Sequence, residues 1–315
     1  MSESSNSTTE GDVLVVGETI IDIVDRGSAR TEHVGGSPAN VALTLARLGH
    51  PVRLVTDIAA DDRGRRARSH LAESHVRVIS RAAERTPTAL ARIQIDGSAE
   101  YTFDIAWDPV APEVRGAAHV HVGSIAAFLA PGADKVRELL STLPAGVTSS
   151  FDPNIRPSII GPHHEALKQF EALASVADVV KLSDEDALWL YPGETPARVI
   201  ARLLALDVRL AIITRGGDGL LLASRPASVD VPAASITVAD TIGSGDSAMG
   251  AIIDGVRREG LEELSAPTLR RIGDWAATVA GVTTSRAGAN PPWRRELRTR
   301  FGLEPDVTDS GVPCR

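Results

Sequence analysis

The residues of this chain best placed to do chemistry lie in one stretch, Asp240-Thr241-Ile242-Gly243-Ser244-Gly245-Asp246. Glycines on both sides of Ser244 allow a tight turn, and small apolar residues at helical spacing follow from Ala248 to Ile253. A helix is expected to start here, with unpartnered N–H groups and the positive end of its dipole facing outward, a ready site for phosphate. Asp246 sets a carboxylate beside that site, and a base beside a phosphate points to group transfer. The competing reading is local, an Asp in a first helical turn that caps the helix. The stretch has neither the Lys of a G-x-x-x-x-G-K-[ST] loop nor a G-x-S-x-G pattern, so a nucleotide here is not held by a P-loop.

A second glycine pair, Gly35-Gly36-Ser37-Pro38-Ala39-Asn40, opens an apolar helix that stops at Gly49. It is a second anion or hydroxyl site, with Asn40 either a ligand contact or an N-terminal cap. Asp22 lies inside the apolar run from Glu18 to Arg26, where an unpartnered acid is costly. It reads either as a ligand contact or as an edge-strand residue facing water. His119 and His121 share one face of a strand, a metal pair in principle, but no further Cys or His stands nearby to complete a set.

The elements that must position these groups follow a repeating order of strand, polar loop and helix. Apolar runs at Val13–Val16, Pro51–Ile58, Val120–Ile125, Thr148–Phe151, Val179–Leu182 and Leu210–Thr214 read as strands. Helices are expected at Asp61–Arg68, Ala197–Leu206 and Leu269–Thr283, with Arg257–Glu263 a solvated surface segment. Polar loops such as Asp152-Pro153-Asn154-Ile155-Arg156 follow strands, so a mostly parallel, doubly wound α/β sheet is expected with its polar loops along one edge. Thr88–Ile95 and Ser98–Phe103 flank Asp96-Gly97 and read as a hairpin of a separate small sheet.

The 315 residues suit one α/β domain with an appendage. A net charge of −8 provides no basic footprint for nucleic acid or an anionic membrane. Cys314 is the single cysteine, which excludes an internal disulfide and fits a reducing, cytoplasmic location. Residues 1–11 are polar, without the apolar core of a signal peptide, and are read as a disordered tail; residues 303–315 are read as a loose one. A nicotinamide oxidoreductase is disfavoured because Gly17 begins no G-x-G-x-x-G run.

Together, the Gly-Gly stretch with Asn40 and the Asp-Thr-x-Gly-x-Gly-Asp stretch ending at Asp246 resemble the two signatures of the PfkB, or ribokinase-like, carbohydrate kinases. The likeness extends from Val13 to Trp293. It implies a ribokinase-like domain over 12–302 with a small β-sheet lid built from about 18–34 and 88–108. It also implies phosphoryl transfer from ATP to a hydroxymethyl group of a sugar, with magnesium as cofactor and potassium as a candidate monovalent ion.

By the same resemblance Asp246 is the general base, and the N–H groups of Gly243, Ser244, Gly245 and Asp246 form an anion hole. Asp22, Gly36 and Asn40 bind sugar hydroxyls, while Asn154 and Arg156 lie near the substrate or the transferred phosphoryl. Ser183, Thr214, Gly216, Gly217 and Gly219 resemble the nucleotide site. Asp240, Ile242, Arg286 and Gly288 resemble a monovalent cation site. The resemblance also makes the lid a surface for a homodimer.

Two departures stand out. Ala59 occupies a position where the first signature usually ends in Gly, and Ser183 with Asp186 occupies the family's Asn-x-x-Glu, which organises magnesium and phosphate, often through water. The loops at Phe151–Pro157, Val122–Ile125 and Ser285–Ala289 look most like the fructokinase and 2-keto-3-deoxygluconate kinase branch. D-Fructose is therefore the expected substrate, with the keto acid, ribose or another sugar as alternatives and a non-catalytic sugar or nucleotide sensor as the competing class.

Overall fold

The computed structural model describes residues 11–27, 29–94 and 98–301. The tails over 1–10 and 303–315, the Asp96-Gly97 turn and Cys314 lie outside the described residues. The strands are β1 (Asp12–Val16), β2 (Ile20–Asp25), β3 (Arg30–Gly35), β4 (Val52–Val55), β5 (Ile58–Ala59), β6 (Val76–Ile79), β7 (Ala82–Ala83), β8 (Thr88–Ile93), β9 (Ala99–Asp104), β10 (Ala117–Gly123), β11 (Thr148–Asp152), β12 (Val179–Ser183), β13 (Leu210–Thr214), β14 (Leu220–Ala223) and β15 (Ser228–Val231). The helices are α1 (Ser37–Arg47), α2 (Asp62–Ala72), α3 (Gly132–Ser141), α4 (His163–Ala174), α5 (Asp184–Leu190), α6 (Pro196–Ala205), α7 (Ser244–Glu259), α8 (Ala266–Thr284) and α9 (Arg294–Phe301).

Strands with apolar residues on both faces must be covered on both. In β1, Val13 and Val15 pack toward one core with α1, α7 and α8, while Leu14 and Val16 pack toward a second with α3, α4 and α6. The resulting sheet has the order β15-β14-β13-β12-β11-β10-β1-β4-β6. From β13 to β6 every pairing is parallel. The chain winds outward from β1 through β4 to β6, then resumes beside β1 at β10 and winds the other way. This reversal leaves a crevice at the carboxyl ends of β1 and β10, where open α/β sheets place ligands. A separate sheet in the order β3-β2-β8-β9 stands over that edge. Among the described residues no helix is long and apolar enough to cross a membrane.

Several local expectations need correction. Pro51–Ile58 is not one strand: β4 ends at Val55, and the chain turns through Thr56-Asp57, where Asp57 Oδ2 accepts the Asp108 N–H at 2.8 Å. β14 and β15 form an antiparallel margin absent from the sequence reading, because each has only four residues and they match a strand pattern weakly. Arg257 is not in a surface connection; α7 continues through it to Glu259 and stops at Gly260. The buried His119 and His121 bond to the hydroxyls of Thr148 and Ser150 at 2.7 to 2.9 Å, the ordinary fate of polar residues on a buried strand.

The contact that matters most for the site is α1 against α7. Gly250 makes it close: a Cβ there would lie 2.7 Å from Thr44 Cγ2 and 2.8 Å from Thr44 Cβ. Gly250→Val is expected to separate the two helices at a cost of about 1–3 kcal/mol, the usual range for overpacking. Calorimetry should show a lower Tm, and steady-state assays a lower kcat; an unchanged Tm would mean that the helices do not pack this tightly.

Candidate active site

Helix α7 begins where the chain takes a left-handed turn at Gly243 (φ 74°), a conformation that favours glycine. No side chain caps the helix. The capping reading of Asp246 therefore gives way to a tertiary one. Asp246 is 9% exposed; its Oδ1 accepts the Ser37 hydroxyl at 2.7 Å and its Oδ2 accepts Asn40 Nδ2 at 2.8 Å. Ser37 and Asn40 are one turn apart on α1 and so present their donors on one face. The capping reading of Asn40 fails for the same reason, since Gly36 holds the N-cap position with φ 103°. A Cβ on Gly36 would lie 2.5 Å from the Glu18 carbonyl oxygen, so its glycine character lets α1 sit against the connection from β1 to β2.

Asp22 does not lie on an edge strand, because β2 has β3 on one side and β8 on the other. Its carboxyl is pushed up to about 6 by burial; Arg156 and His33 pull it down, and the negative charge of Asp246 raises it. Asp22 on β2 thus feels the charges of both Asp246 on α7 and Arg156. Asn154, at the carboxyl end of β11, has a positive φ of 38°, and Arg156 turns back to donate to the Asn154 and Ile155 carbonyls at 3.3 and 3.0 Å.

Ser183 and Asp186 form a reciprocal cap at the start of α5: Ser183 Oγ accepts the Asp186 N–H at 2.9 Å, and Asp186 Oδ2 accepts the Ser183 N–H at 2.9 Å. Asp186 Oδ1 accepts the Ile155 N–H at 2.8 Å, tying the loop after β11 to α5. Both oxygens are thus engaged by backbone donors. Among the described residues no group of three or more His, Cys, Asp or Glu could hold a metal ion. Magnesium commonly binds through one or two carboxylates together with phosphates and water. Asp186, one carboxylate beside the loop after β11, fits that arrangement.

Thr214 ends β13, and Gly216 and Gly217 are exposed in the loop beyond it, on the same sheet edge. Gly219 is buried where the chain enters β14. The remaining predicted group converges through Asp240, whose oxygens accept the N–H groups of Ile242 at 3.0 Å and Gly288 at 2.8 Å. These bonds hold the Asp240 carboxyl below the usual range. Arg286 is not bonded to Asp240: its N–H donates to the Thr283 carbonyl at 3.0 Å, and its side chain pairs with Glu296 at 2.9 Å.

Three buried ionisable groups beside this site escaped the sequence reading. Glu18 accepts the Ala126 N–H at 3.1 Å, and burial pushes its carboxyl up to about 7 against the lowering effects of Ser124, Ala126 and Arg156. Asp152 and Lys181 form an ion pair of 3.0 Å beneath the carboxyl ends of β11 and β12. The signal for Lys181 was a lone charge inside Val179-Val180-Lys181-Leu182, the pattern that drew attention to Asp22.

A carboxylate held beside a helix N-terminus at the switch point of a doubly wound sheet, with a separate small sheet, suits a class of small-molecule phosphotransferases. Within that class this chain belongs to the pfkB family of carbohydrate kinases, whose family model matches residues 10–295, and it is a sugar kinase. It is 29% identical over 296 residues to the fructokinase of Klebsiella pneumoniae, a match covering 87% of this chain and 96% of that one. The fructokinase of Rhizobium leguminosarum bv. trifolii is 28% identical over 263 residues, covering 79% and 81%. Among solved structures, a Xylella fastidiosa fructokinase with bound ATP has a TM-score of 0.81 at 23% identity, with 93% of this chain and 99% of that one covered. A Vibrio cholerae fructokinase in a form with fructose, ADP and potassium ion has a TM-score of 0.76 at 22% identity, covering 90% and 95%. These likenesses establish the ribokinase-like fold, the small sheet included.

Glu18 yields a test of the buried charge. Its folded value lies above the unfolded 4.5, so its contribution is fully present below 4.5 and is lost as pH rises through about 7. Ionising it in the folded protein at pH 8 costs on the order of 3 kcal/mol. Glu18→Gln keeps an acceptor for Ala126 and removes that cost, so its stability relative to wild type should rise between pH 5 and pH 8. An equal Tm difference at both pH values would contradict the buried, proton-holding carboxyl.

Proposed function

We propose that this sugar kinase transfers the γ-phosphoryl group of ATP to a hydroxymethyl group, with D-fructose as its substrate and Asp246 as the general base. The observation that carries this reading is the placement of Asp246, a carboxylate at a helix N-terminus held from a second helix by Ser37 and Asn40. Both donors fix the carboxylate's orientation, and each oxygen keeps a lone pair for a substrate hydroxyl. The first-turn N–H groups of Gly243 to Asp246 receive negative charge from the transferring phosphoryl group. Asn40 carries a second Nδ2 hydrogen and its Oδ1, which together with Asp22 meet the hydroxyls of the sugar. Arg156 faces the same cleft from the loop after β11.

The relatives named fructokinase, and the neighbour described with fructose and ADP, support the choice of fructose. The neighbour described with bound ATP supports ATP as donor, delivered to the loops at Ser183, Thr214, Gly216, Gly217 and Gly219. Magnesium accompanies the phosphates, with Asp186 near enough through the loop at Ile155 to act through water. The joined loops at Asp240, Ile242, Arg286 and Gly288 support a monovalent cation site, as does the potassium named for a neighbour. On the lid's outer strand β9, the stacked Tyr101 and Phe103 rings, 6.0 Å apart with Tyr101 61% exposed, support a homodimer through the lid.

ADP release measured over a panel of sugars tests the substrate. Fructose should give the highest kcat/KM, because buried groups matched to particular hydroxyls reject analogues that leave them unpaired. A higher value for ribose would displace fructose, and one for 2-keto-3-deoxygluconate would point to Arg156 pairing with its carboxylate. No turnover with any sugar would favour a sensor. Asp246→Asn should lower kcat by about 10²–10⁴-fold while ATP and sugar affinity change little; a folded variant with near wild-type turnover would end the case for the base. Replacing potassium with a bulky organic cation should slow turnover, and equal rates in both would remove the cation site.

A further inference from the structure

Strand β12 is apolar apart from Lys181 and its terminal Ser183. Of the 33 Lys and Arg residues in the chain, the lysines are Lys135, Lys168 and Lys181. In a chain that uses Arg almost everywhere, the cation that is buried beside the site among the described residues is a compact ammonium. It is 3% exposed, with Asp152 Oδ2 at 3.0 Å. A Cβ built on Gly245 would have a single neighbour within 4 Å, Lys181 Nζ at 3.8 Å. The ammonium therefore faces the first turn of α7 across the space that Gly245 leaves open.

Burial pushes Lys181 down, but Asp152, Asp186 and Asp246 together outweigh it and hold the ammonium above the ordinary lysine value. Burial raises Asp152 to about 6 against the opposing effect of Lys181, so the pair is ionised at neutral pH. His121, on the neighbouring strand, is pushed down to about 3 by burial and by Lys181, and contributes no charge. A pair that served stability alone would have little reason to be ionic, since well-packed apolar residues do as well in such positions. Nor would it need to look out on a helix N-terminus.

We propose that Lys181 is the cation of the phosphoryl-transfer site, its ammonium facing the transferring group through the gap over Gly245 and held there by Asp152 as counter-ion. This rests on the kinase reading above. In the step, the sugar oxygen forms a bond to the γ-phosphorus as the bond from that phosphorus to the bridging oxygen breaks. The electron pair leaves with ADP, and the hydroxyl proton passes to Asp246. Lys181 exchanges no proton; it stabilises the charge that accumulates on the phosphoryl and bridging oxygens.

Lys181→Met should lower kcat by about 10²–10³-fold, the range for losing one donor aimed at transition-state charge, with the sugar KM within about threefold. Because that variant strands Asp152, the deciding protein is Asp152→Asn combined with Lys181→Met, which neutralises both partners. Recovered Tm with kcat still depressed supports the proposal; recovered Tm with wild-type kcat makes the pair structural and overturns it.

A second measurement needs no variant. With three lysines in the chain, the side-chain ammonium signals of ¹⁵N-lysine-labelled wild type can be followed on adding ADP, aluminium fluoride and the best sugar of the panel. The buried Lys181 signal should move with this transition-state mimic and move less with ADP alone. A signal that ignores the mimic overturns the proposal. A wild-type protein that phosphorylates no sugar would overturn the kinase reading along with it, whereas a fast enzyme with a silent Lys181 would overturn this inference alone.

Discussion

Burying a carboxylate costs several kcal/mol unless donors meet it, and Asp246 obtains both of its donors from another helix. Ser37 and Asn40 reach it because α1 and α7 lie close enough for Gly250 to touch Thr44. Those two helices come from chain segments more than two hundred residues apart in sequence, and each starts at a glycine with positive φ. The same contact therefore orients the Asp246 carboxylate and brings the N-termini of α1 and α7 together. Loosening it would remove both donors of Asp246 while the contacts of α1 with β1 and β4 and of α7 with α8 remain.

Around that contact lie several buried charges. Asp152 and Lys181 compensate each other within the sheet. Lys181 also feels the charge of Asp246, and Asp22 on β2 feels the charge of Arg156 in the loop after β11. The acids outnumber the cations, so burial holds Asp22, Asp152 and Glu18 above their usual range. The Asp152–Lys181 pair lies beside the N-terminus of α7, with Lys181 Nζ 3.8 Å from where a Cβ on Gly245 would stand.

The small sheet is anchored where the chain leaves β9. Trp107 is buried beyond β9, and the Asp108 N–H donates to the buried Asp57, while Lys135 holds the Asp108 carboxylate at 2.6 Å. Arg81 reaches Asp108 at 2.9 Å from the other side. This network ties the root of the small sheet, which carries β2 and Asp22, to the α/β domain.

Periodicity alone made much of this legible. Strand, loop and helix alternate in the sequence because each parallel strand needs a crossover, and the glycine stretches at Gly35-Gly36 and Gly243–Gly245 marked the two helix starts because few other residues allow those turns. The short hairpin of β14 and β15 was invisible because four-residue strands leave too little pattern to separate from a loop. What the sequence could not decide was partnership. Asp246 and Asn40 each read equally well as local caps, and only the packing of α1 on α7 turned them toward each other. Lys181 and Asp152 went unremarked in the sequence as partners, and adjacent register in the sheet makes them a pair. A residue's type and spacing determine what it can do locally; which distant group meets it is set by how the layers stack, and that is where the chemistry of this chain was decided.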